Sequence, residues 1–267
     1  MKVGFIGYGA MGSIMVNAFL DHGALAPRDV IVSSRTASAL APLAARYPDV
    51  RMVDNRTAAE ESDLLFLCVR SDQVRGVLEE IAPVLSGSCH LVLINGGVAM
   101  SAAPVRRVSK VIPTVTMRVG RGVALVSHQP EVEEERRARL ERLFSSVGAV
   151  KVVREDELEL TTALTSCGPA LVATLVDELA AAAARRGLDR EEAEAMVTET
   201  FLATALLMSD VAVPREVCES VATKGGITEK GLEVLRHRSP ALFDDLLSAI
   251  LSAHRGAEED GDNGLSA

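Results

Sequence analysis

Tryptophan is absent from this chain of 267 residues, and aromatic residues make up only 3% of it. The core must therefore be packed by Ala, Val, Leu and Ile, which favours helices and parallel sheets over a β-sandwich. Positive charge is also in deficit, since 28 Lys and Arg stand against 37 Asp and Glu and the formal net charge is −9. Nucleic acid and anionic membrane surfaces are consequently disfavoured as main partners, because both require clustered basic residues.

Cysteine and long hydrophobic runs are scarce as well. The four cysteines form no CxxC motif and lie far apart, at Cys68, Cys89, Cys167 and Cys218. They predict free thiols in the cytoplasm rather than disulfides or zinc, and no histidine spacing suggests a metal. The uncharged run at residues 161–176 is shorter than the roughly 18 apolar residues of a membrane span and predicts a buried helix. Glycines interrupt the apolar amino terminus, which argues against a signal peptide.

Short apolar strands alternate with helical patterns over residues 1–154, which predicts a doubly wound parallel sheet. Strand signals then vanish, and Ala-, Leu- and Glu-rich segments predict an all-helical second domain over residues 155–255. These helical segments are residues 157–186, 190–208, 214–221 and 240–254. The acidic, glycine-containing tail at 256–267 is expected to be disordered. The fold class is therefore α/β with a helical carboxyl-terminal domain.

The segment Gly7-Tyr8-Gly9-Ala10-Met11-Gly12 is a GxGxxG motif that directly follows the first strand and opens a helix. The first glycine permits a tight turn and the second lets the backbone approach a pyrophosphate. The third lets helix and strand pack closely, while the helix amino terminus offers N–H groups to the anion. This context predicts a dinucleotide-binding Rossmann domain. A glycine-rich turn without a ligand is the alternative.

The end of the second strand indicates which dinucleotide is bound. An NAD-selective site usually has an acidic residue there, whereas this chain has Ser33-Ser34-Arg35-Thr36. A guanidinium and three hydroxyls suit a 2′-phosphate, so that NADP is favoured over NAD. A surface arginine beside a helix-capping Ser or Thr is the alternative.

Several motifs resemble those of the pyrroline-5-carboxylate reductase family over residues 1–250. GFIGYGAMG is similar to the opening motif of that family, VSSRT to its VSNRT and FLCVRSDQV to its FLAVKPQDV. In the second domain, ALTSCGPAL (residues 163–171) is similar to ALSGSGPAY, and VATKGGITEKGL (residues 221–232) to VTSPGGTTIAGL. The resemblance implies a Rossmann domain followed by a helical domain that forms an intertwined homodimer.

The resemblance also implies a reaction, in which a hydride passes from NAD(P)H, with NADPH preferred, to the C=N carbon of a cyclic imine carboxylate to give proline. Because an imine nitrogen is basic enough to be protonated near neutral pH, such a site needs positioning more than a strong acid. The implied cofactor contacts are Gly7, Gly9, Ala10, Met11, Gly12, Ser33, Ser34, Arg35, Thr36, Asn55, Val69, Arg70, Asn95 and Gly97. The implied substrate and catalytic residues are Cys167, Thr223, Lys224, Gly225, Gly226 and Thr228.

The departures from the family pattern are concentrated on the substrate side, where the replacements are Thr114, Cys167, Leu171, Lys224 and Ile227. Lys224, in place of proline, could bind a larger or more acidic substrate or could be a solvated charge. The pattern is closer to a diverged branch of the family that includes a late competence operon protein. Three hypotheses follow: a pyrroline-5-carboxylate reductase, an NADP-dependent imine or carbonyl reductase with another substrate, or a nucleotide-binding regulatory protein without catalysis.

Overall fold

A computed structural model of the chain describes residues 1–210 and 213–263, with side chains as far as Ala253. One sheet contains eight strands in the order β3-β2-β1-β4-β5-β6-β7-β8. The strands are β1 (Val3–Ile6), β2 (Val30–Ser33), β3 (Arg51–Met52), β4 (Leu64–Leu67), β5 (His90–Leu93), β6 (Val108–Ile112), β7 (Val123–His128) and β8 (Ala149–Val152).

Helices follow the strands as crossover connections and then dominate the remainder of the chain. They are α1 (Ala10–Asp21), α2 (Ala41–Arg46), α3 (Asn55–Glu61), α4 (Ser71–Ile81), α5 (Glu134–Ser145), α6 (Leu158–Thr165), α7 (Gly168–Ala184), α8 (Arg190–Asp210), α9 (Pro214–Val221) and α10 (Ile227–Asn263). The predicted α/β class with a helical carboxyl-terminal part is therefore confirmed.

The sheet core is built from continuous apolar strands, as expected for strands covered on both faces. Every residue of β1, β4 and β5 is buried. The rings of Phe5 and Phe66 stack with their centroids 4.9 Å apart, and Phe144 of α5 meets Phe19 of α1 edge-on at 5.2 Å. These few aromatic rings fill the centre of one face, so that scarcity of aromatics does not leave the core without large side chains.

The sheet is parallel, as predicted, at every pair of strands except one. β6 and β7 are antiparallel, with Ser109 opposite His128 and Ile112 opposite Leu125. The physical reason is the short connection between them, a single 3-10 turn at Val115–Val119, which is too short to carry the chain back for a parallel crossover. The helix α5 provides such a crossover between β7 and β8, which are parallel.

The helical part also differs in detail from the sequence expectation. The segment at 157–186 is two helices, because the chain breaks at Ser166 and Cys167 before Gly168-Pro169. The segment at 240–254 is not a separate helix, since α10 passes through Pro240. Residues 256–263 were expected in the disordered tail and are helical, whereas 264–267 lie outside the described residues.

The chain divides into two compact units. One consists of Met1–Cys167 together with the chain from Leu251, and the other of Gly168–Ile250. In the second unit, α7 and α8 each bury a single residue, Ala180 and Ala193. The expectation of a buried helix at 161–176 is therefore wrong for the single chain, in which most of these residues are not buried. Residues 155–184 would be long and apolar enough to cross a membrane by length and composition alone, and only 6% of an apolar 18-residue window within them is buried.

Candidate functional site

The residues predicted to bind a nucleotide follow strand ends that lie side by side. The sheet register pairs Ile6 with Ser33 and with Leu67, and pairs Leu67 with Leu93, so that β1, β2, β4 and β5 end at one edge. The predicted segments 7–12, 33–36, 69–70 and 95–97 begin within two residues of these ends. This edge, where the connections leave in opposite directions on either side of β1, is the usual ligand position of a doubly wound sheet.

Two glycines of the GxGxxG motif are required by close packing. Gly7 has φ +103°, and a Cβ there would lie 2.6 Å from the carbonyl oxygen of Cys68. A Cβ on Gly12 would lie 2.2 Å from the carbonyl oxygen of Gly7. The backbones of the turn, α1 and β4 therefore approach so closely that no side chain fits at either position.

The middle glycine has a different environment. A Cβ on Gly9 would meet no atom within 4 Å. Gly9 is the amino-terminal cap of α1, no side chain caps that helix, and its first turn holds no acidic residue. The N–H groups of Ala10 and Met11 therefore have no carboxylate of the first turn as a competing partner, and the open side of Gly9 would let a pyrophosphate approach the backbone.

The end of β2 joins a network of polar side chains. Ser33 Oγ donates a hydrogen bond to Asn55 Oδ1 at 2.6 Å, and Asn55 Nδ2 donates to Glu80 Oε2 at 2.7 Å. Arg35 and Thr36 are exposed beside this network, and Thr36 N donates to Ser34 Oγ at 3.3 Å. The structure thus joins Ser33 to Asn55 directly, with Arg35 two residues beyond Ser33 along the chain. Glu80 was not predicted, and its position near the carboxyl end of α4 gives no local signal.

The connections after β4 and β5 meet through Asn95. Its Nδ2 donates to the carbonyl oxygen of Val69 at 2.9 Å and to Ser71 Oγ at 3.3 Å. Its Oδ1 is buried and accepts no hydrogen bond from the described residues. Since a buried acceptor is rarely left without a donor, this oxygen fits the N–H group of a ligand such as a carboxamide. Arg70 is exposed and pairs with Asp72 at 3.1 Å.

The predicted substrate loop lies in the second unit, except for Cys167, which is half-buried in the first. Gly225 has φ +75°, which favours glycine. Both N–H groups of the Gly-Gly turn are bonded within the loop, since Gly226 N donates to the carbonyl oxygen of Thr223 at 2.9 Å and Gly225 N donates to Glu229 Oε2. Lys224 is exposed.

Thr228 lies in the first turn of α10 and is half-buried. It therefore lies inside the helix and is not its amino-terminal cap. Unpaired N–H groups are a general property of a first helical turn. Thr228, these N–H groups and the exposed Lys224 ammonium therefore remain available as donors to a ligand.

Comparisons with known proteins cover both parts of the chain. A family model described as pyrroline-5-carboxylate reductase dimerisation matches residues 155–259. A second model, described as NADP oxidoreductase, coenzyme F420-dependent, matches residues 2–94. The chain is 30% identical over 256 residues to pyrroline-5-carboxylate reductase 3 of Bacillus subtilis, with 94% of each protein covered.

Two further comparisons bear on the branch and the fold. ComE operon protein 4 of Bacillus subtilis is 25% identical, over 97% of this chain and 96% of that protein. The solved structure of a pyrroline-5-carboxylate reductase from Coxiella burnetii superposes with a TM-score of 0.89 and 25% identity, over 96% of this chain and 98% of that one. The likeness thus extends through the Rossmann part and the helical part alike.

Proposed function

We propose that this chain, which belongs to the pyrroline-5-carboxylate reductase family and is also similar to ComE operon protein 4, reduces pyrroline-5-carboxylate to proline with NADPH. The single observation that carries the proposal is the nucleotide edge of the sheet, where the GxGxxG turn, the hydroxyl cluster of β2 and the unsatisfied Asn95 Oδ1 lie together. A small-molecule reductase of this kind uses a soluble cofactor, and the proposed location is the cytoplasm.

The cofactor fits the residues at this edge. The N–H groups at the start of α1 would hold the pyrophosphate beside Gly9, with Ala10, Met11 and Gly12 forming the first turn. Asn55 and the β2 hydroxyls would hold the adenosine end, while the Val69–Arg70 and Asn95–Gly97 connections would hold the nicotinamide end. When bound, a reduced nicotinamide supplies the hydride.

Arg35 supports a preference for NADPH over NADH. It is exposed at the end of β2, and the part of the chain that the structure describes offers it no ion-pair partner. A guanidinium there can pair with a 2′-phosphate, which NADH lacks. We expect Arg35→Ala to weaken NADPH binding by about tenfold and to leave NADH binding within about twofold. Equal affinities of the unaltered protein for both nucleotides, measured by fluorescence titration, would remove this role from Arg35.

The substrate side is proposed to consist of Cys167, Thr223, Lys224, Gly225, Gly226 and Thr228. Thr228 would donate to or accept from the ring nitrogen, and the N–H groups of the loop and of the first turn of α10 would bind the carboxylate. Because Glu229 already accepts from Gly225 N, a substrate carboxylate that uses this N–H group must displace the Glu229 side chain. Lys224 is the exposed cation of the loop and would attract the anionic substrate.

The helical part is proposed to form a homodimer. The match of residues 155–259 to a dimerisation family supports this, together with the apolar side chains that α7 and α8 expose. Such exposed surface on a globular chain is typical of an interface.

The activity test follows NADPH oxidation by absorbance against pyrroline-5-carboxylate, then against 1-pyrroline and a larger cyclic imine. Turnover of pyrroline-5-carboxylate, with proline as product, is the expected result. If another imine alone were turned over, the proposed substrate would be wrong, but the proposed reductase activity would stand. NADPH binding without turnover would instead support the second candidate, a nucleotide-binding protein without catalysis, which the likeness to ComE operon protein 4 and the internally bonded Gly225 N–H favour.

A further inference from the structure

A buried cation contacts the connection after β5, which forms part of the proposed nucleotide site. Lys110 is the central residue of β6, and its side chain is 4% exposed. The register pairs Lys110 with Leu93, the last residue of β5, so that its side chain is next to the connection that leaves β5. The neighbouring residues Val108 and Val111 are fully buried. A strand position of this kind ordinarily takes an apolar residue, since burial of an ammonium group is costly unless it is paired.

Two oxygen atoms compensate the Lys110 ammonium. Its Nζ lies 2.9 Å from Glu155 Oε1 and 3.2 Å from the carbonyl oxygen of Gly96. The same Glu155 Oε1 accepts a hydrogen bond from Met100 N at 3.3 Å. The connection after β5 is thus held at both ends by one ion pair, at Gly96 by the lysine and at Met100 by the glutamate.

The segment between these two attachments is the one that the proposed function requires to be ordered. It begins next to Asn95, with its unsatisfied Oδ1, and contains Gly97, whose absent Cβ would meet nothing within 4 Å. Val98 and Met100 pack against the core, whereas Gly96 and Gly97 have no side chain to fix the backbone at the start of this connection. A fixed conformation lowers the cost of ordering on ligand binding.

We propose that Lys110 is a positioning residue, which acts through Gly96 and Glu155 to fix the Asn95–Met100 connection in the arrangement that receives the nicotinamide end of the cofactor. This inference rests on the proposed nucleotide site. Glu155 also begins the 3-10 turn that precedes α6 and is the first residue matched by the dimerisation family, so that the ion pair joins the nicotinamide connection to the entry of the helical region.

The test compares two ligands on the full-length protein. One is NADPH, and the other is 2′-phospho-ADP-ribose, which has the adenosine and pyrophosphate parts of the cofactor but no nicotinamide. We use the double variant Lys110→Met with Glu155→Gln, because it removes both charges together and leaves no uncompensated buried ion. We expect NADPH affinity to fall about tenfold and the affinity for 2′-phospho-ADP-ribose to stay within about twofold. Lys110→Arg should restore most of the NADPH affinity.

A matched control is present at the opposite end of the same strand. Arg107, just before β6, donates to Glu133 at 2.6 Å and to the carbonyl oxygen of Gly87, which is likewise an ion pair combined with a loop carbonyl. Arg107→Met should lower thermal stability without changing the ratio of the two affinities. A proportional loss of both affinities in the double variant, or the same selective loss in Arg107→Met, would overturn the positioning role.

Kinetics give a second measurement on the same variants. If pyrroline-5-carboxylate is turned over, the double variant should lower kcat by roughly 10- to 100-fold with a smaller change in the KM of the imine, because a misplaced cofactor slows the reaction more than it weakens substrate binding. An unchanged kcat would contradict the proposal. Failure of the unaltered protein to bind either nucleotide would refute the proposed function itself, which is a different result from a loss confined to the variants.

Discussion

At the scale of single residues, Thr228 is the side chain on which the proposed chemistry depends most directly. It lies half-buried in the first turn of α10. We expect Thr228→Ala to lower kcat/KM for the imine by about 10- to 100-fold, the cost of one hydrogen bond to a charged group, with NADPH affinity unchanged. Thr174→Ala is the control, since that hydroxyl only donates to the Ala170 carbonyl within α7. Equal kinetics of both variants would exclude Thr228 from the site.

His90 predicts a pH dependence of stability that is independent of the nucleotide site. It is 2% exposed, and its Nε2 lies 2.7 Å from Ser109 Oγ. Burial lowers the pKa of His90 to about 3, and positive charge from His128 and Arg136 acts in the same direction. The folded protein therefore holds His90 neutral, whereas the unfolded chain protonates it below about pH 6.5. The stability that this provides is complete above pH 6.5 and is lost as the pH falls from 6.5 towards 3.

Chemical denaturation of His90→Gln and of the unaltered protein from pH 7.5 to 5 checks this expectation. Gln has a similar shape and can still bond Ser109, but it does not titrate. The difference in unfolding free energy between the two proteins should change by up to about 1.4 kcal/mol per pH unit below pH 6.5. Parallel curves over the whole range would show that His90 does not contribute. The comparison cancels other groups that titrate, including His128, whose pKa burial also lowers.

The residues that sequence reasoning found and those that it missed differ in a physical way. Gly7 and Gly12 are found because a tight turn and close packing between helix and strand require glycine at fixed positions, which leaves a local motif in the sequence. His90, Ser109 and His128 form a chain of contacts across three strands, with Ser109 Oγ 2.6 Å from His128 Nδ1. Their partners are 19 residues apart in each case, and no local pattern indicates them. Lys110 and Glu155, 45 residues apart, escape prediction for the same reason.

At the scale of secondary-structure elements, the turn between β1 and α1 separates a role in folding from a role in binding. Gly12→Ala places a methyl group 2.2 Å from a backbone oxygen, while Gly9→Ala places one in open space. We expect Gly12→Ala to destabilise the fold by roughly 1–3 kcal/mol, as overpacking does. Gly9→Ala should leave thermal stability within about 1 kcal/mol and weaken NADPH binding by about tenfold or more, because its methyl group meets the pyrophosphate instead.

Thermal unfolding and fluorescence titration of the two variants provide the measurement. Each variant is the control for the other, because both add the same methyl group three residues apart. If Gly9→Ala bound NADPH as the unaltered protein does, the pyrophosphate would not lie beside this glycine. A Gly12→Ala protein of normal stability would show that α1 can shift away from the turn.

Elements with strong apolar patterns are predicted well, and the weak ones are not. β4 and β5 are buried on both faces and appear as continuous apolar runs. β3 has two exposed residues, and the preceding sequence gives no alternation to detect it. α3 was missed as well, although Asp54 caps it by accepting from Thr57 N at 2.7 Å. That Asp-x-x-Thr start is a signal that could have located α3 and, on it, Asn55.

At the scale of the whole molecule, the distribution of exposed apolar residues is uneven. In the first unit they are few, whereas α7 and α8 expose Val172, Leu175, Leu179, Met196, Leu202, Leu206 and Leu207. The sequence predicted apolar helices but could not say which faces a single chain covers, because this depends on neighbours rather than on periodicity. Helices of 17 and 21 residues with one buried residue each require further burial to be stable in water.

A homodimer through these helices should appear in solution as a mass of about twice the chain mass of 28.3 kDa at micromolar concentration. Leu179 is 54% exposed on α7, and Leu179→Glu places a carboxylate in the apolar surface. We expect this variant to shift light scattering towards the single-chain mass, because an unpaired charge in an interface core is strongly unfavourable. The neighbouring substitution Glu178→Gln, which adds no charge to the same helix, is the control and should leave the mass unchanged. A single-chain mass for the unaltered protein would refute the dimer, and a dimeric Leu179→Glu would move the interface away from this face of α7.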